Sequence, residues 1–219
     1  MGTNRVIILA DGDWPPKESH GIPGPGDHVI AADGGYAQAL VRGIDVDEVV
    51  GDLDSVSFEL RARLLAGASP EVHAYPAEKD WTDLELAIER ASEREPDEII
   101  VLGGLGGRID HTLANLQLLE RGIRMGIPIA LVSGDESVRL AAGWLDLDDA
   151  APGDTISLIP QTETAVVSTR GLAFPLDRER LFRSATRGVS NVVGEVPAAV
   201  NAHEGQLFVI HTRKAPGGS

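Results

Sequence analysis

The sequence predicts an α/β fold, in which an N-terminal parallel-sheet α/β domain is followed by a C-terminal antiparallel β-sandwich domain. Two observations predict it. In the first part, short apolar runs rich in β-branched residues alternate with segments of helical periodicity, which is typical of a parallel sheet covered by helices. After Ser133 the helical periodicity disappears, and short β-type runs separated by Gly, Pro and Asp take over. We therefore expect one domain over residues 1–133 and a second over residues 134–219.

The first part contains strand and helix patterns that follow one another along the chain. Apolar runs predict strands at Arg5–Ala10, His28–Ala32, Glu48–Val50, Glu71–Tyr75, Glu98–Leu102 and Ile127–Val132. Helical spacing predicts helices at Tyr36–Arg42, Phe58–Leu65, Asp83–Arg94 and Thr112–Arg121. A parallel sheet of this kind binds its ligands beyond the carboxyl ends of its strands, so the loops at those ends are the places to look for chemistry.

The second part is expected to contain short antiparallel strands. The clearest runs are Val138–Ala142, Thr155–Ile159, Ala165–Thr169 and Gln206–His211. In the first part, the Pro- and Gly-rich segment Trp14–Asp27 predicts a loop after the first strand.

The composition excludes several classes of function. The chain has 219 residues, of which 42% are hydrophobic, so it can bury a sizeable core. Its net charge of -15 disfavours nucleic-acid and anionic-membrane surfaces, and no apolar run approaches the roughly 20 residues that cross a bilayer. There is no Cys, which excludes disulfides and thiolate chemistry and fits a reducing compartment. We expect a cytoplasmic protein that binds neither nucleic acid nor membranes.

A first acidic loop, Asp33-Gly34-Gly35, follows the predicted strand HVIAA. The Asp33 carboxylate would project from the strand end, and the glycines would let a ligand approach the backbone. An ordinary Asp-Gly turn is the alternative interpretation.

A second loop, Gly51-Asp52-Leu53-Asp54-Ser55, ends the next strand. Residues two apart in extended chain face the same side, so Asp52 and Asp54 would present two carboxylates together. A hard divalent cation would relieve their repulsion. The alternative is an Asp-rich turn with Ser55 as a helix cap.

A third loop, Lys79-Asp80-Trp81-Thr82-Asp83, opens a predicted helix. Helix-capping rules account for much of it: Thr82 with Glu85 matches a capping box, and Asp83 suits the positive end of a helix. Those rules leave Lys79 and Asp80 unexplained. The pair suits a phosphate contact beside a metal ligand, or else a surface ion pair.

The fourth cluster, GLGGRIDHTLAN, joins a glycine-rich loop to a helix start. Glycines such as Gly107 allow backbone N–H groups to face phosphate oxygens, and Arg108 offers a planar fork for phosphate. Asp110 could instead be only a helix N-cap, and His111 only a surface histidine. Because all four loops fall at the carboxyl edge of one predicted sheet, we expect a magnesium-dependent site that handles phosphate groups of a nucleotide.

Taken in order, ADGG at Ala32, GDLDS at Gly51, KDWTD at Lys79 and GGRIDHTLAN at Gly106 resemble the thiamine pyrophosphokinase family. SLIP at Ser157, GLAFPL at Gly171 and VSNVV at Val189 continue the resemblance through the second part. It implies transfer of the pyrophosphoryl group of ATP to the hydroxyl of thiamine, giving thiamine diphosphate and AMP. It also implies Mg2+, and a homodimer that binds thiamine in a cleft between its subunits.

The resemblance implies roles for individual residues. Magnesium ligands would be Asp52, Asp54 and Asp83, with Asp80 as a further candidate. Arg108 would neutralise phosphate charge, and Asp80 or Asp110 would accept the hydroxyl proton. Expected to contact the substrates are Asp33, Gly34, Lys79, Thr82, Gly107, His111, Asn115, Phe174, Ser190 and Asn191.

Two features depart from the family pattern. An aromatic residue, often Trp, stands in the GL-x-x-x-L segment near thiamine, and here it is Phe174, a weaker cation–π partner. The Trp14–Asp27 loop is longer than usual. For Ser190 and Asn191, a plain β-turn is the alternative.

Three rival functions share these motifs. A pyrophosphokinase acting on a hydroxymethylpterin would use the same aspartate loops with another acceptor. A regulatory module that binds a nucleotide or thiamine phosphate without turnover would need fewer carboxylates. A magnesium-dependent phosphatase is suggested by the DLDS string, but it would need a distant Lys, and Lys is scarce in this chain.

Overall fold

The computed structural model describes residues 4–15, 23–54, 61, 64, 66–67, 69–76 and 78–214. The chain divides into two compact units, Met1–Gly134 and Asp135–Ser219.

The first unit alternates strands and helices. Its strands are β1 (Arg5–Leu9), β2 (His28–Ala32), β3 (Glu48–Gly51), β4 (Glu71–Ala74), β5 (Glu98–Leu102) and β6 (Ile129–Ser133). The helices with given bounds are α1 (Gly35–Arg42), α2 (Asp83–Ser92) and α3 (Ile109–Met125). The strands form a sheet in the order β6-β5-β1-β2-β3-β4, and every neighbouring pair is parallel. The predicted parallel α/β sheet is confirmed.

The sequence of β1 is a continuous apolar run because this central strand is buried. Ile7, Ile8 and Leu9 are all fully buried, as expected for a strand with helices on both faces. Burying each such side chain stabilises the fold by about 1.5–3 kcal/mol. The centre of the sheet is therefore a rigid base for the loops at its edge.

The strand order fixes where a ligand can enter. The chain runs from β1 outward through β2, β3 and β4, and then returns to place β5 on the other side of β1. The crevice beyond the carboxyl ends of β1 and β5 is therefore the topological switch point, where ligands of open α/β sheets bind.

Helix ends follow from local sequence. Thr82 precedes α2 and its hydroxyl accepts a hydrogen bond from the Glu85 backbone N–H at 3.2 Å, as the capping motif predicts. The carboxylate of Glu85, however, accepts from Arg121 rather than completing a capping box. α3 begins at Ile109 rather than Thr112, with Arg108 at the N-cap position and no side-chain cap. Asp110 is therefore not the N-cap; it lies inside the first turn.

The second unit is built from two antiparallel sheets. Its strands are β7 (Glu136–Ala141), β8 (Trp144–Asp146), β9 (Thr155–Pro160), β10 (Thr164–Arg170), β11 (Glu179–Phe182), β12 (Asn191–Val192), β13 (Ala199–Glu204) and β14 (Leu207–Thr212). One sheet has the order β12-β9-β14-β7 and the other β11-β10-β13-β8. Buried side chains from both sheets, such as Leu158 and Val200, form one core. The predicted sandwich is confirmed.

The sequence patterns missed β8, β11, β12 and β13. The helix predicted at Phe58–Leu65 lies largely outside the described residues, as do Ser55 and much of the Trp14–Asp27 loop. Among the residues that the structure describes, no helix is long and apolar enough to span a membrane.

Candidate active site

A cavity of about 550 Å³ lies at the carboxyl edge of the parallel sheet. It is lined from the strand ends of β1, β2 and β5 and from the loops that lead into α2 and α3. The sequence-predicted residues that line it are Asp33, Gly34, Asp52, Lys79, Thr82, Asp83, Gly107, Arg108, His111 and Asn115. The structure therefore brings members of all four predicted loops to one place.

The end of β3 presents paired carboxylates. Leu53 is 1% exposed and points into the core, while Asp52 lines the cavity and Asp54 is exposed. Leu53 has a left-handed backbone with φ 59°, as does Asp33 with φ 40°. Such strained conformations are uncommon for residues other than glycine and cluster at functional sites. The strain here accompanies a turn that keeps Asp52 and Asp54 out of the core into which Leu53 points.

Three carboxylates meet at this strand end. Ligand oxygens of Asp33, Asp52 and Asp54 all lie within 4.8 Å of one another. Carboxylate oxygens bound to one Mg2+ at about 2 Å lie roughly 3–4 Å apart, so small side-chain rotations would bring these three onto one ion. The donor set is all oxygen, which suits a hard divalent cation.

A glycine makes this crowding possible. At Gly51, φ is 143° and a Cβ atom would lie 3.0 Å from Asp83 Oδ1 and 3.1 Å from Asp33 Cβ. A Cβ there would be tightly packed against both aspartates, and this φ is one that L side chains rarely adopt. The glycine of GDLDS is thus needed for the approach of Asp33 and Asp83.

Lys79 lies between two of the acids. Its Nζ is 3.3 Å from Asp52 Oδ2 and 3.0 Å from Asp83 Oδ1, and its side chain is 14% exposed. Burial raises the pKa of Asp52, but the Asp54 backbone N–H and the Lys79 ammonium more than offset it, so the pKa of Asp52 lies below its ordinary value. Burial lowers the pKa of Lys79, but Asp83 and Asp52 raise it above its ordinary value. The site therefore holds ionised carboxylates and a charged lysine together.

The glycine-rich loop after β5 is pinned from two sides. The N–H groups of Gly12 and Asp13 donate to the carbonyls of Gly103 and Leu105, which extends the β1–β5 pairing beyond the strands. From α3, Asn115 Nδ2 donates to the Gly104 carbonyl at 2.8 Å and Thr112 Oγ1 to the Gly106 carbonyl at 3.1 Å. Asn115 lines the cavity, and its amide also fixes the loop backbone.

Arg108 and Asp110 form an exposed ion pair at the start of α3. Arg108 Nη2 donates to Asp110 Oδ2 at 2.6 Å, and the two side chains are 74% and 60% exposed. The Arg108 hydrogen bond lowers the pKa of Asp110 to about 2. Of the two partners, only Arg108 lines the cavity, together with the neighbouring His111. Asp54 and Asp80 are also absent from the lining, although Asp54 belongs to the carboxylate group described above.

In the second unit, Asn191 contacts the backbone of Phe174. Asn191 is buried, whereas Phe174 is 68% exposed. Ser190 has a left-handed φ of 60°, and its N–H donates to Ser157 Oγ at 3.0 Å. Ser190 lies in a turn, as the alternative interpretation has it, and Asn191 begins the short strand β12.

Sequence reasoning missed several cavity residues, among them Asp11, Gly12 and Trp81. The Asp11 carboxylate lies against Gly34, where a Cβ would be 2.9 Å from Asp11 Cγ, and it accepts a hydrogen bond from Gln38 Nε2 at 3.3 Å. The sequence did contain a signal for Asp11, because this residue directly follows the strand pattern of β1, at the same edge as the other aspartates.

A second cluster of acids and histidines lies at the opposite, amino edge of the sheet. Glu48 is 2% exposed; Arg90 Nε donates to it at 2.6 Å, and His28 and His73 lie at 2.7 and 2.9 Å. Glu48, Glu71 and His73 are close enough to share a metal ion. Because the Arg90 guanidinium already neutralises Glu48 and would repel a divalent cation, we interpret this cluster as structural.

Comparison with known proteins agrees with these motifs. Residues 26–131 match the family model described as thiamin pyrophosphokinase, catalytic domain, and residues 145–207 match thiamin pyrophosphokinase, vitamin B1 binding domain. The thiamine pyrophosphokinase of Bacillus subtilis is 34% identical over 185 residues, which cover 84% of this chain and 86% of the relative.

Solved structures agree as well. A crystal structure of thiamine pyrophosphokinase from Bacillus subtilis superimposes with a TM-score of 0.85 at 31% identity, covering 96% of this chain and 100% of the other. Thiamin pyrophosphokinase from Candida albicans shares the fold, with a TM-score of 0.77 at 16% identity over 96% of this chain and 90% of the other. From the two family models and the Bacillus relative, the chain belongs to the thiamin pyrophosphokinase family.

Proposed function

We propose that the protein transfers the pyrophosphoryl group of ATP to the hydroxyl of thiamine, giving thiamine diphosphate and AMP. The observation that carries this proposal is the group of three carboxylates within 4.8 Å of one another beside a cavity that also contains Lys79, Arg108 and a glycine loop. Carboxylates for a metal, cations for phosphate charge and exposed backbone are the components of a phosphoryl-transfer site.

Asp52 and Asp54 would hold Mg2+, with Asp33 and Asp83 beside them. Their arrangement fits the ion: the donors are all oxygen, they lie close together, and the pKa of Asp52 is lowered so that it remains ionised at neutral pH. When bound, the ion would neutralise charge on the phosphate oxygens.

The phosphate chain would lie along the crevice between β1 and β5. Gly107 and the amino end of α3 offer backbone N–H groups and a positive helix dipole, and Arg108 adds a guanidinium at the cavity wall. Gly34, Thr82 and His111 line the same cavity and complete the nucleotide contacts. Lys79 stabilises the negative charge that develops on the reacting group.

In the chemical step, the thiamine hydroxyl oxygen forms a bond to the β-phosphorus of ATP. The bond from that phosphorus to the α-phosphate oxygen breaks, and AMP leaves with the electron pair. A base accepts the hydroxyl proton. Asp80 and Asp110 are the two candidates for this base.

Phe174 would stack on the cationic thiazolium ring of thiamine, with Ser190 and Asn191 beside it. We further propose a cytoplasmic homodimer. The family resemblance supports a thiamine cleft between subunits, and the second unit exposes large apolar side chains such as Phe174, Phe182 and Trp144 in the single chain.

An acceptor panel tests the proposal. The protein is incubated with ATP and Mg2+ together with thiamine, with a hydroxymethylpterin, or with no acceptor, and AMP and diphosphate esters are measured by chromatography. We expect AMP with thiamine only, and none when EDTA removes the metal. AMP with the pterin would support the rival pyrophosphokinase, phosphate release without an acceptor would support a phosphatase, and binding without turnover would support a regulatory module.

A further inference from the structure

The side-chain amide of Asn191 is used almost entirely within the second unit. Its Oδ1 accepts hydrogen bonds from the Phe174 N–H at 3.1 Å and the Val192 N–H at 2.9 Å. Its Nδ2 donates to the Phe174 carbonyl at 2.7 Å. The amide thus binds both backbone groups of Phe174, as a neighbouring strand would.

These bonds continue a short antiparallel pairing. The Ala173 N–H donates to the Val192 carbonyl at 2.8 Å, the Gly194 N–H donates to the Gly171 carbonyl at 2.8 Å, and Leu172 forms a β-bridge with Val193. At Phe174 the bonds to the β12 segment come from the Asn191 side chain instead of its backbone, and the chain turns at the preceding residue, Ser190, with φ 60°. The Asn191 side chain supplies the missing pair of bonds.

An amide is the group this position requires. It offers an acceptor and a donor on one planar head, which matches the N–H and C=O of a single residue. A carboxylate of the same shape would keep the acceptor but would place a second oxygen against the Phe174 carbonyl. Asn191 is 7% exposed, so water cannot readily replace a lost bond.

The bonds fix a backbone whose side chain is exposed. Phe174 projects its ring outward at 68% exposure, and in the single chain no burial of the ring explains its position. Backbone bonds to Asn191 therefore fix the Cα position from which the ring projects. A backbone that is fixed in advance loses less conformational entropy when the ring it carries stacks on a flat cation.

We propose that Asn191 is a positioning residue that presents Phe174 to the cationic ring of the acceptor, rather than a direct contact of that ring. The inference rests on the proposed function for the identity of the acceptor. The link between Asn191 and Phe174 rests on the hydrogen bonds alone.

The kinetic test is a double-mutant cycle of Asn191→Asp and Phe174→Ala, with Asn201→Ala as a matched control in β13. In the wild-type background, we expect Asn191→Asp to raise KM for thiamine about tenfold, since it removes a buried donor, with kcat and KM for ATP unchanged. In the Phe174→Ala background, the same substitution should change KM for thiamine less than twofold. A tenfold effect that persists without the ring would mean direct contact and would overturn the proposal.

A second measurement needs neither substrate nor turnover. Amide hydrogen exchange should show the Phe174 N–H protected in the wild-type protein and exchanging at least tenfold faster in Asn191→Asp, while amides of β10 keep their rates. An unprotected Phe174 amide in the wild-type protein contradicts the proposal, even if the variant fails to fold. If thiamine is not the acceptor, the acceptor panel fails while the exchange result still decides the Asn191–Phe174 link.

Discussion

At the scale of single residues, Asp52 has the clearest chemical task. It belongs to the carboxylate group, contacts Lys79 and lines the cavity. Asp52→Asn keeps the shape but removes one negative charge from the proposed metal ligands. We expect loss of magnesium-dependent AMP formation by at least a hundredfold, since ligand and electrostatic losses of this kind cost about 3 kcal/mol.

The Asp52→Asn comparison needs a control that changes net charge equally. Asp45→Asn is suitable because Asp45 is exposed before β3 and does not line the cavity. We expect its rate to match the wild type. Full magnesium-dependent activity of Asp52→Asn would refute the metal assignment.

Removal of Lys79 is expected to change Mg2+ affinity and turnover in opposite directions. In the structure its ammonium neutralises Asp52 and Asp83, the same carboxylates that are proposed to hold the metal. Lys79→Met should therefore bind Mg2+ about five- to tenfold more tightly in the absence of nucleotide, because a nearby like charge is gone. Its turnover should nevertheless fall, because the cation that faces phosphate is lost.

Isothermal titration of nucleotide-free protein with Mg2+ measures the first effect. Lys214→Met, which removes a lysine from the second unit, serves as the control. Weaker Mg2+ binding by Lys79→Met would show that the lysine assists the metal rather than competing with it.

At the scale of elements, the amino edge of the sheet depends on Glu48. Burial raises the pKa of Glu48, but hydrogen bonds from Arg90 and His28 more than offset this effect. The pKa of Glu48 therefore lies below its ordinary value of 4.5. A carboxyl with a depressed folded pKa stabilises the fold above its unfolded pKa, and the contribution is lost as the pH falls through the folded pKa. The Arg90 contact ties β3 to α2, so this loss should loosen the first unit.

Glu48→Gln tests whether the ionised carboxylate of Glu48 stabilises the first unit. At pH 7 the free energy of unfolding of the variant should be about 1.5–3 kcal/mol lower than that of the wild type, because the hydrogen bond from Arg90 no longer reaches a charged acceptor. The difference should shrink as the pH falls below the ordinary carboxyl pKa of 4.5 and the wild-type Glu48 becomes protonated. Urea unfolding of both proteins, with exposed Glu195→Gln as the control, gives the comparison. A difference that stays constant as the pH falls would contradict the role of the Glu48 charge.

How far the elements could be predicted follows from their length and period. β2 and β5 have the predicted bounds, because uninterrupted apolar runs of β-branched residues specify buried parallel strands. β8 and β12 were missed, because strands of two or three residues carry no measurable alternation. The same limit holds for the site. Asp52 and Asp54 follow from spacing alone, whereas Asn191 bonding to Phe174 across 17 residues depends on tertiary pairing.

At the scale of the whole molecule, the proposed homodimer predicts a solution mass. Large apolar side chains exposed on the second unit of the single chain would be covered by a partner. Light scattering after size exclusion should give twice the chain mass of 23.2 kDa. A mass of one chain across the working concentration range would leave the thiamine cleft between subunits without support.

In the proposed reaction both outer phosphates of ATP move together to thiamine. Phosphorus NMR of the complete reaction with ATP, Mg2+ and thiamine distinguishes this from transfer of a single phosphate. We predict AMP and thiamine diphosphate in equal amounts, with no ADP. Formation of ADP with thiamine monophosphate, or ATP consumption without any thiamine ester, would rule out pyrophosphoryl transfer to thiamine.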